Sequence, residues 1–420
     1  MQLKTILNFV QPFKSFVYKN VRFVEDESGQ PVEIEIGIEP RKNSRAVCSG
    51  CGEACSGYDH EQTPGRFEFV PLWGIAVFFA YRMRRVDCPT CGVKVERVPW
   101  AEGKSRLTTA YRWFLAKWAK RLSWRETAVA FRTSWEKVFR SVKMAVSWGL
   151  EHRSLEGIEA IGVEEIQWQK GHRYLTLVYR IEDGLKRLLY VAKDRTEASL
   201  RGFFTSLGDE AKGSVRFVCS DMWQAYLNVI AEQVGRAIHV LDRFHIMKKM
   251  SEGIDAVRRE EAGKLQRDGY EPVLKNSRWC LLKRRENLTE KQTVKLTELL
   301  QYNLRSVRSR LMREDFQRFW EYVSPAWAGK FLDEWCSRTM RSRIAPMQKV
   351  ARSLREHRDL ILNWFRARGT VSGGAVEGLN NKTKLTIRKA YGFSTYNAVE
   401  IALYHTIGHL PEPEFTHEFC

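Results

Sequence analysis

The sequence predicts a multidomain α/β protein, and three observations lead to this prediction. The chain has 420 residues, which is enough for two or three domains that each bury a core. Two Cys-x-x-Cys pairs lie in its first quarter, and residues 158–245 alternate strand-like with helix-like patterns. A helical, Trp-rich region follows. We therefore expect domains at residues 1–103, 104–152, 153–250 with 366–408, and 251–365.

The charge balance points to a polyanionic partner. Lys and Arg together number 69 against 50 Asp and Glu, which gives a net charge of +19. A field of this sign attracts nucleic acid first and an anionic membrane second. The apolar runs are too short to span a membrane, and the N-terminus has no signal-peptide pattern. We therefore expect a cytoplasmic protein that binds DNA and no membrane.

The cysteine pairs predict a metal site. Each Cys-x-x-Cys turn directs two thiolates to one point, and the Gly behind each pair, Gly52 or Gly92, allows a tight turn. Two such turns supply four tetrahedral ligands for a structural Zn²⁺ within a β-rich module. The alternative is buried free thiols or a redox pair, and Cys55 is a spare or substitute ligand. The four predicted ligands are Cys48, Cys51, Cys88 and Cys91.

Residues before and after these pairs divide into a β-rich and a helical region. Strand patterns at 21–24 and 32–36 flank a turn at 26–31, which predicts a β-hairpin without chemistry of its own. Helices are then expected from Thr108 or Thr109 to Arg121, over 124–131, and over 134–150.

The last two predicted helices, joined by a turn at 132–133, resemble a helix-turn-helix. Such a motif would place the second helix against DNA, and its candidate contacts are Lys137, Arg140 and Lys143. The alternative is an ordinary three-helix linker domain.

The segment that follows predicts the catalytic core. Three strands, a helix, a strand, a helix and a strand are expected in that order, which is the order of the ribonuclease H-like fold. They lie at 158–166, 173–181, 186–192, 196–207, 215–219, 223–232 and 237–241.

Carboxylates fall at the ends of two strands that lie side by side in that fold. Glu164 and Glu165 compete for the first position, and Asp221 follows the fourth strand. A third acid, Glu377, lies at the start of a helix expected from about Ala375. Three such acids can hold two divalent ions, for which oxygen ligands favour Mg²⁺ or Mn²⁺. The alternative for each acid is a surface residue or a helix cap.

The stretch Val371–Phe393 carries Glu377 beside a cluster of bases. Bases in this arrangement would neutralise the phosphates of a nucleic acid held at the metal, whereas the alternative is a solvated amphipathic helix. The bases are Lys382, Lys384, Arg388 and Lys389.

Two further features lie near these acids in the sequence. Asp242 and His245 form an Asp-x-x-His pattern, and His245 could contact a phosphate or position the attacking group. A buried structural pair is the alternative. Trp223 and Tyr226 are expected in the core rather than as platforms for stacked bases.

Several motifs together resemble one family. The two cysteine pairs, the helical segment, IGVEEIQWQKGHRYLTLVY, VCSDMWQAY, VLDRFHIMKKM and AVEGLNNKTKLTIRKAYGF are similar to DDE transposases of the ISL-three group of prokaryotic insertion sequences. The resemblance covers essentially the whole chain. It implies cutting of DNA at terminal inverted repeats and transfer to target DNA by a Mg²⁺-dependent core, in a homo-oligomer that pairs two ends.

The resemblance also implies roles for single residues. Asp221 matches the second acid and Glu377 the third, while Asp242 and His245 match an Asp-x-x-His of related transposases. At the first position the family usually has Asp followed by Glu, whereas this chain has Glu164 followed by Glu165. Because the side chain of Glu is one methylene longer than that of Asp, three alternatives stay open: the enzyme is active, weakened or disabled. The alternatives are therefore a transposase that only binds DNA, and a metal nuclease without strand transfer.

Overall fold

The computed structural model describes residues 3–367, 373–390 and 392–414. Val371, Ser372 and Tyr391 of the predicted basic stretch lie outside the described residues. The chain forms two compact units, one drawn from residues 1–153 and 397–420 and the other from residues 154–396. Among the described helices, none has the length and apolar character needed to cross a bilayer.

The first unit begins with two four-stranded sheets after a short helix α1 (Leu3–Val10). One sheet has the strand order β1-β2-β6-β5 and the other β3-β4-β7-β8. The predicted hairpin forms, because β1 and β2 pair in an antiparallel register. The strands are β1 (Phe16–Glu25), β2 (Pro31–Pro40), β3 (Ala46–Val47), β4 (Ala54–His60), β5 (Gly65–Leu72), β6 (Ile75–Tyr81), β7 (Arg84–Cys88) and β8 (Gly92–Val95).

An aromatic core packs against the sheet with the order β1-β2-β6-β5. Trp100 is almost fully buried. Its ring centre lies 4.9 Å from the ring centre of Phe16 and 5.2 Å from that of Tyr81, and both pairs are edge to face. Edge-to-face pairs of this kind add stability beyond the area that they bury.

Three helices follow in this unit, and each begins at a capping residue visible in the sequence. The helices are α2 (Thr109–Trp118), α3 (Trp124–Ala130) and α4 (Trp135–His152). Thr108, Ser123 and Ser134 each accept a hydrogen bond from a backbone N–H in the first turn. The predicted helices are therefore confirmed to within a few residues.

The second unit contains a five-stranded mixed sheet with the order β11-β10-β9-β12-β13. The first three of these strands are antiparallel, whereas β9, β12 and β13 run parallel. All the elements predicted over 158–241 are present, with α6 in addition. They are β9 (Ala160–Gln169), β10 (Arg173–Arg180), β11 (Arg187–Lys193), α5 (Glu197–Leu207), α6 (Asp209–Ser214), β12 (Phe217–Ser220), α7 (Gln224–Gln233) and β13 (Ile238–Leu241).

The predicted helical region follows β13 directly. Its core is aromatic, with Phe316 and Trp335 buried and 4.9 Å apart. The helices are α8 (Arg243–Arg267), α9 (Arg278–Leu282), α10 (Glu290–Leu300), α11 (Arg305–Gln317), α12 (Pro325–Arg341), α13 (Ala345–Glu356) and α14 (Arg358–Arg366), with short 3-10 turns at Arg285–Asn287 and Arg318–Glu321.

Two more helices complete the described chain. Helix α15 (Gly373–Lys389) begins two residues before the expected start at Ala375, and α16 is Tyr396–Ile407. The four-domain division remains a prediction. It assigns residues up to 408 to the catalytic core, whereas residues 397–414 pack within the first unit.

Candidate active site

Three carboxylates lie in a row just beyond the segment where strands β9, β12 and β13 pair in parallel. Gly162 of β9 is level with Cys219 of β12, and Cys219 is level with Val240 of β13. Glu164, Asp221 and Asp242 each follow one of these three residues by two positions. Residues two apart in an extended chain face the same side, and neighbouring strands are about 4.8 Å apart, so this register brings the three side chains together. We call Glu164, Asp221 and Asp242 the carboxylate row.

His245 contacts the two outer members of the carboxylate row. Its Nε2 lies 3.4 Å from Glu164 Oε1 and 4.0 Å from Asp242 Oδ2. One ligand atom from each of these three residues lies within 4.8 Å of the others, close enough to hold one metal ion. Glu164 and Asp242 are each only 4% exposed, so the charges lie in a recess.

The charges in this recess shift one another's proton affinity. Burial would lower the pKa of His245, but its hydrogen bond with Glu164 and the charges of Glu164, Asp242 and Asp221 raise it. Burial raises the pKa of Asp221 to about 6, although the Trp223 backbone N–H and His245 oppose the rise. Burial also raises the pKa of Asp242. Positive charge is thus favoured here, as expected at a cation site.

The choice between Glu164 and Glu165 follows from their faces of β9. Glu164 faces His245, whereas Glu165 accepts hydrogen bonds from Arg195 Nη1 at 3.1 and 3.3 Å. Neighbouring residues in a strand point to opposite sides of the sheet. Glu164 therefore belongs to the site, and Glu165 belongs to an ion pair on the other face.

Helix α15 packs against the same face of the sheet as Glu164. A Cβ on Gly162 would approach Val376 Cγ2 to 2.7 Å, so the missing side chain is what admits the helix. The Tyr179 hydroxyl lies 3.0 Å from Asn380 Oδ1 and 3.0 Å from Thr383 Oγ1, which fixes the helix along its axis.

Glu377 lies on α15 with its side chain exposed. The negative charge of Glu377 helps to raise the pKa of Asp242. Burial and the charge of Glu164 contribute more to this rise. Within the described residues, however, neither Glu377 nor Asp221 belongs to the group at metal-ligand distance, which consists of Glu164, Asp242 and His245. The structure therefore assembles the Asp-x-x-His pair with the first acid more closely than it assembles the three predicted acids.

The predicted DNA-binding residues are exposed on their helices. Lys137 pairs with Glu68 at 2.7 Å and Arg140 with Glu136 at 2.6 Å, so both cations already have acidic partners. The other predicted bases, Lys143 on α4 and Lys382, Lys384, Arg388 and Lys389 on α15, are exposed as well.

The four predicted cysteine ligands do converge. Their sulfur atoms all lie within 4.8 Å of one another, with Cys51 Sγ 3.5 Å from Cys88 Sγ. A backbone hydrogen bond from Cys91 is the main reason why the pKa of Cys88 falls to about 6, which favours its thiolate, whereas burial raises the pKa of Cys91 to about 12. Cys55 is buried nearby but does not belong to the group.

The backbone around the cysteines requires glycine at three positions. Gly52 and Gly92 have φ values of +81° and +71°, as expected for the tight turns behind each pair. At Gly50 a Cβ would lie 2.9 Å from Cys91 Sγ.

Sequence reasoning missed Lys249 and Arg195. Lys249 lies one helical turn after His245 on α8, and its Nζ donates to Ser353 Oγ at 2.6 Å. Burial lowers the pKa of Lys249, and the charges of Glu356, Glu252 and, least of all, Asp221 act in the opposite direction. The spacing of four residues from His245 could have indicated a shared helix face. No sequence signal links Arg195 to Glu165, because the pairing depends on the fold.

Known proteins resemble this chain over most of its length. The transposase of insertion sequence element IS1001 from Bordetella parapertussis is 31% identical over 350 residues, which cover 83% of this chain and 85% of that protein. The transposase of element IS1557 from Mycobacterium tuberculosis is 28% identical over 424 aligned residues, which cover 95% of this chain and 94% of that protein.

A family model described as a transposase, for the ISL-three (ISL3) DDE group, matches residues 161–403. This range contains the carboxylate row, His245 and helix α15. The match spans more than half of the chain, and the chain therefore belongs to the ISL-three group of insertion-sequence transposases.

Proposed function

We propose that this protein is a DDE-type transposase that cuts phosphodiester bonds at the ends of an insertion sequence and joins the freed 3′ ends to target DNA. The observation that carries the proposal is the carboxylate row, with His245 in contact with its two outer acids. Asp242 also caps helix α8, but acids that neighbour one another in a buried site repel, and a bound cation would remove that repulsion. The family of the chain supplies the substrate class.

The proposed catalytic domain is a ribonuclease H-like core. The order of its elements and the mixed sheet, with three antiparallel strands followed by two parallel ones, support this assignment. The helical region between β13 and α15 is then an insertion. It would bring α15 back across the face that carries Glu164.

The donor set fits hard divalent cations, for which Mg²⁺ or Mn²⁺ is proposed. Glu164, Asp221 and Glu377 would hold them, with Asp242 and His245 beside the ligands. When bound, such ions activate an oxygen nucleophile and stabilise the leaving oxygen. The raised pKa of His245 favours its protonated form, which can donate a hydrogen bond to a phosphate oxygen at the recess.

The cysteine cluster fits a structural Zn²⁺. Four thiolates that converge from two tight turns are the usual donor set of such sites. We propose that the metal joins the turn before β4 to the turn between β7 and β8.

DNA would contact both units. We propose that α3 and α4 form a helix-turn-helix that binds the terminal inverted repeat through Lys137, Arg140 and Lys143. The bases on α15 would neutralise phosphates near the cut. A homo-oligomer that pairs two ends in a prokaryotic cytoplasm completes the proposal.

A second candidate function rests on Glu164. Where the family usually has Asp, this side chain is one methylene longer, and metal geometry tolerates little displacement of the oxygens. A transposase that binds element ends without cutting them is the function that this substitution favours. A nuclease that cuts without joining is the third candidate.

The test is cutting and joining of a labelled element-end duplex with Mg²⁺ or Mn²⁺. The wild-type protein is compared with Glu164→Asp and Asp221→Ala. We expect cut and joined products from the wild type and Glu164→Asp, and none from Asp221→Ala. If all three proteins bind the end and none cuts it, the DNA-binding function replaces the proposal. If DNA is cut and never joined, the nuclease function replaces the proposal.

A further inference from the structure

Lys249 lies on the face of α8 that carries His245, four residues further along the helix. Residues at this spacing are neighbours on a helix surface, with Cβ atoms about 5–6 Å apart. His245 Nε2 lies 3.4 Å from Glu164 Oε1 and 4.0 Å from Asp242 Oδ2, so this face of α8 is directed at the carboxylate row. Lys249 is therefore a cation beside the candidate site and outside the Asp-x-x-His pattern.

Two observations join Lys249 to Asp221, the middle member of the carboxylate row. Burial lowers the pKa of Lys249, and nearby carboxylates, of which Asp221 has the weakest effect, act in the opposite direction. In addition, Met222, the residue after Asp221, packs against the core cluster that contains Met250, the residue after Lys249. His245 thus contacts the two outer acids, and Lys249 lies on the same helix face within the field of the middle one.

The Lys249 ammonium is held by a hydroxyl group and not by an acid. Its Nζ donates to Ser353 Oγ at 2.6 Å, which uses one of its three N–H donors. Other cations of α8 form ion pairs, as Arg258 does with Asp255 at 2.9 Å, whereas no ion pair of Lys249 occurs among the described residues. A partly buried cation without an acidic partner is costly, and a bound anion would offset that cost.

The contact between α8 and α13 fixes the position of this hydroxyl group. Gly253 lies one turn beyond Lys249, and a Cβ there would lie 3.1 Å from Val350 Cγ2 on α13. Ser353 follows Val350 by three residues, so the two helices are closely packed beside the Lys249–Ser353 hydrogen bond. An ammonium that is already oriented loses less side-chain entropy on binding than a fully exposed one.

The acids of the site create a need for such a cation. Glu164 and Asp242 are each 4% exposed, so water screens their charges poorly and they repel a phosphodiester. The proposed divalent ions offset part of this repulsion. An ammonium on the same side offsets more of it through a charge-assisted hydrogen bond to a phosphate oxygen.

We propose that Lys249 binds a phosphate oxygen of the DNA strand held at the carboxylate row. The inference rests on the proposed function and deepens it by naming a phosphate-binding residue. Each phosphate that a cation neutralises on duplex DNA contributes about 0.9 to the slope of log K against log salt concentration. A role confined to joining α8 to α13 would leave that slope unchanged.

The test is binding of an element-end duplex over a series of salt concentrations, measured with Ca²⁺. A second set of duplexes carries one neutral methylphosphonate at each position around the cut, and cutting is measured with Mg²⁺. Lys249→Met removes the charge and keeps an apolar side chain, whereas Ser353→Ala removes the hydroxyl group and keeps the charge. The matched control is Lys248→Met, which removes the charge of the neighbouring, exposed residue of α8.

We expect Lys249→Met to weaken binding about tenfold and to reduce the salt slope by about 0.9. Ser353→Ala should keep the wild-type slope. At one methylphosphonate position near the cut, Lys249→Met and the wild type should bind equally well, and Lys248→Met should show no such position there.

If Lys249→Met keeps the wild-type slope, or weakens binding equally at every methylphosphonate position, the inference is wrong and Lys249 only joins two helices. If the wild type does not bind the element end, the proposed function and the inference both fail. If the wild type binds without cutting, the proposed function fails alone, because the salt slope and the methylphosphonate positions still decide the role of Lys249.

Discussion

At the scale of single residues, two buried histidines should make the free energy of unfolding depend on pH. His405 on α16 is 7% exposed, and burial, followed by the charge of Lys120, lowers its pKa to about 3. Burial lowers the pKa of His239 to about 4. Both rings are therefore neutral in the folded protein under conditions in which the unfolded chain takes up protons.

The sign of the resulting pH dependence follows from linkage. The unfolded chain binds protons below about pH 6.5, and the folded protein does not until about pH 4 or 3. The free energy of unfolding should therefore fall as the pH falls through this window, by about 1.4 kcal/mol per pH unit for each histidine. Urea unfolding of His405→Leu between pH 7 and pH 5 should show a shallower loss than the wild type. Equal slopes would contradict the assignment.

At the scale of elements, the approach of α15 to β9 depends on Gly162. A methyl group there would clash with Val376, and overpacking of this kind costs about 1–3 kcal/mol. Gly162→Ala should displace α15, together with Glu377, and slow DNA cutting at least tenfold. The double variant Gly162→Ala with Val376→Ala removes the closer of the two tight contacts and leaves only Ile181 Cγ2 at 3.1 Å, so it should regain part of the rate. If the double variant is no faster than Gly162→Ala, the packing of this helix does not set the rate.

Local patterns in the sequence were sufficient for most elements. Thr108, Ser123 and Ser134 cap the helices that they predict, and the alternation of residues over 158–241 gives the strands in the right order. Helix α6 was missed because it is a six-residue segment without an apolar stripe.

The candidate site could be predicted only in part. Asp221 and Asp242 follow short apolar runs, which marks them as strand-end residues. The choice of Glu164 over Glu165, however, depends on an ion pair with Arg195, and no local pattern encodes that contact. The exposure of Trp223 was also predicted wrongly, because an aromatic residue near an apolar strand has the same pattern whether it faces the core or the edge.

At the scale of the whole molecule, the cysteine cluster should decide whether the first unit folds. Cys91→Ser removes one of four converging thiolates, whereas Cys55→Ser removes a buried thiol outside the group. We expect one zinc per chain in the wild type and in Cys55→Ser, and loss of zinc with a lower melting temperature in Cys91→Ser. Metal analysis measures the zinc content of each variant, and thermal unfolding measures its melting temperature. Loss of zinc from Cys55→Ser, or retention in Cys91→Ser, would contradict the assigned ligands.

The central claim is that the face of the sheet carrying Glu164 does the chemistry. The most direct measurement compares metal-dependent cutting of the element end by Glu164→Gln and Glu165→Gln, which remove one charge each from adjacent residues on opposite faces. The carboxylate row predicts that Glu164→Gln slows cutting by at least about a hundredfold and that Glu165→Gln cuts at nearly the wild-type rate. Cutting that survives Glu164→Gln and is lost in Glu165→Gln would contradict it.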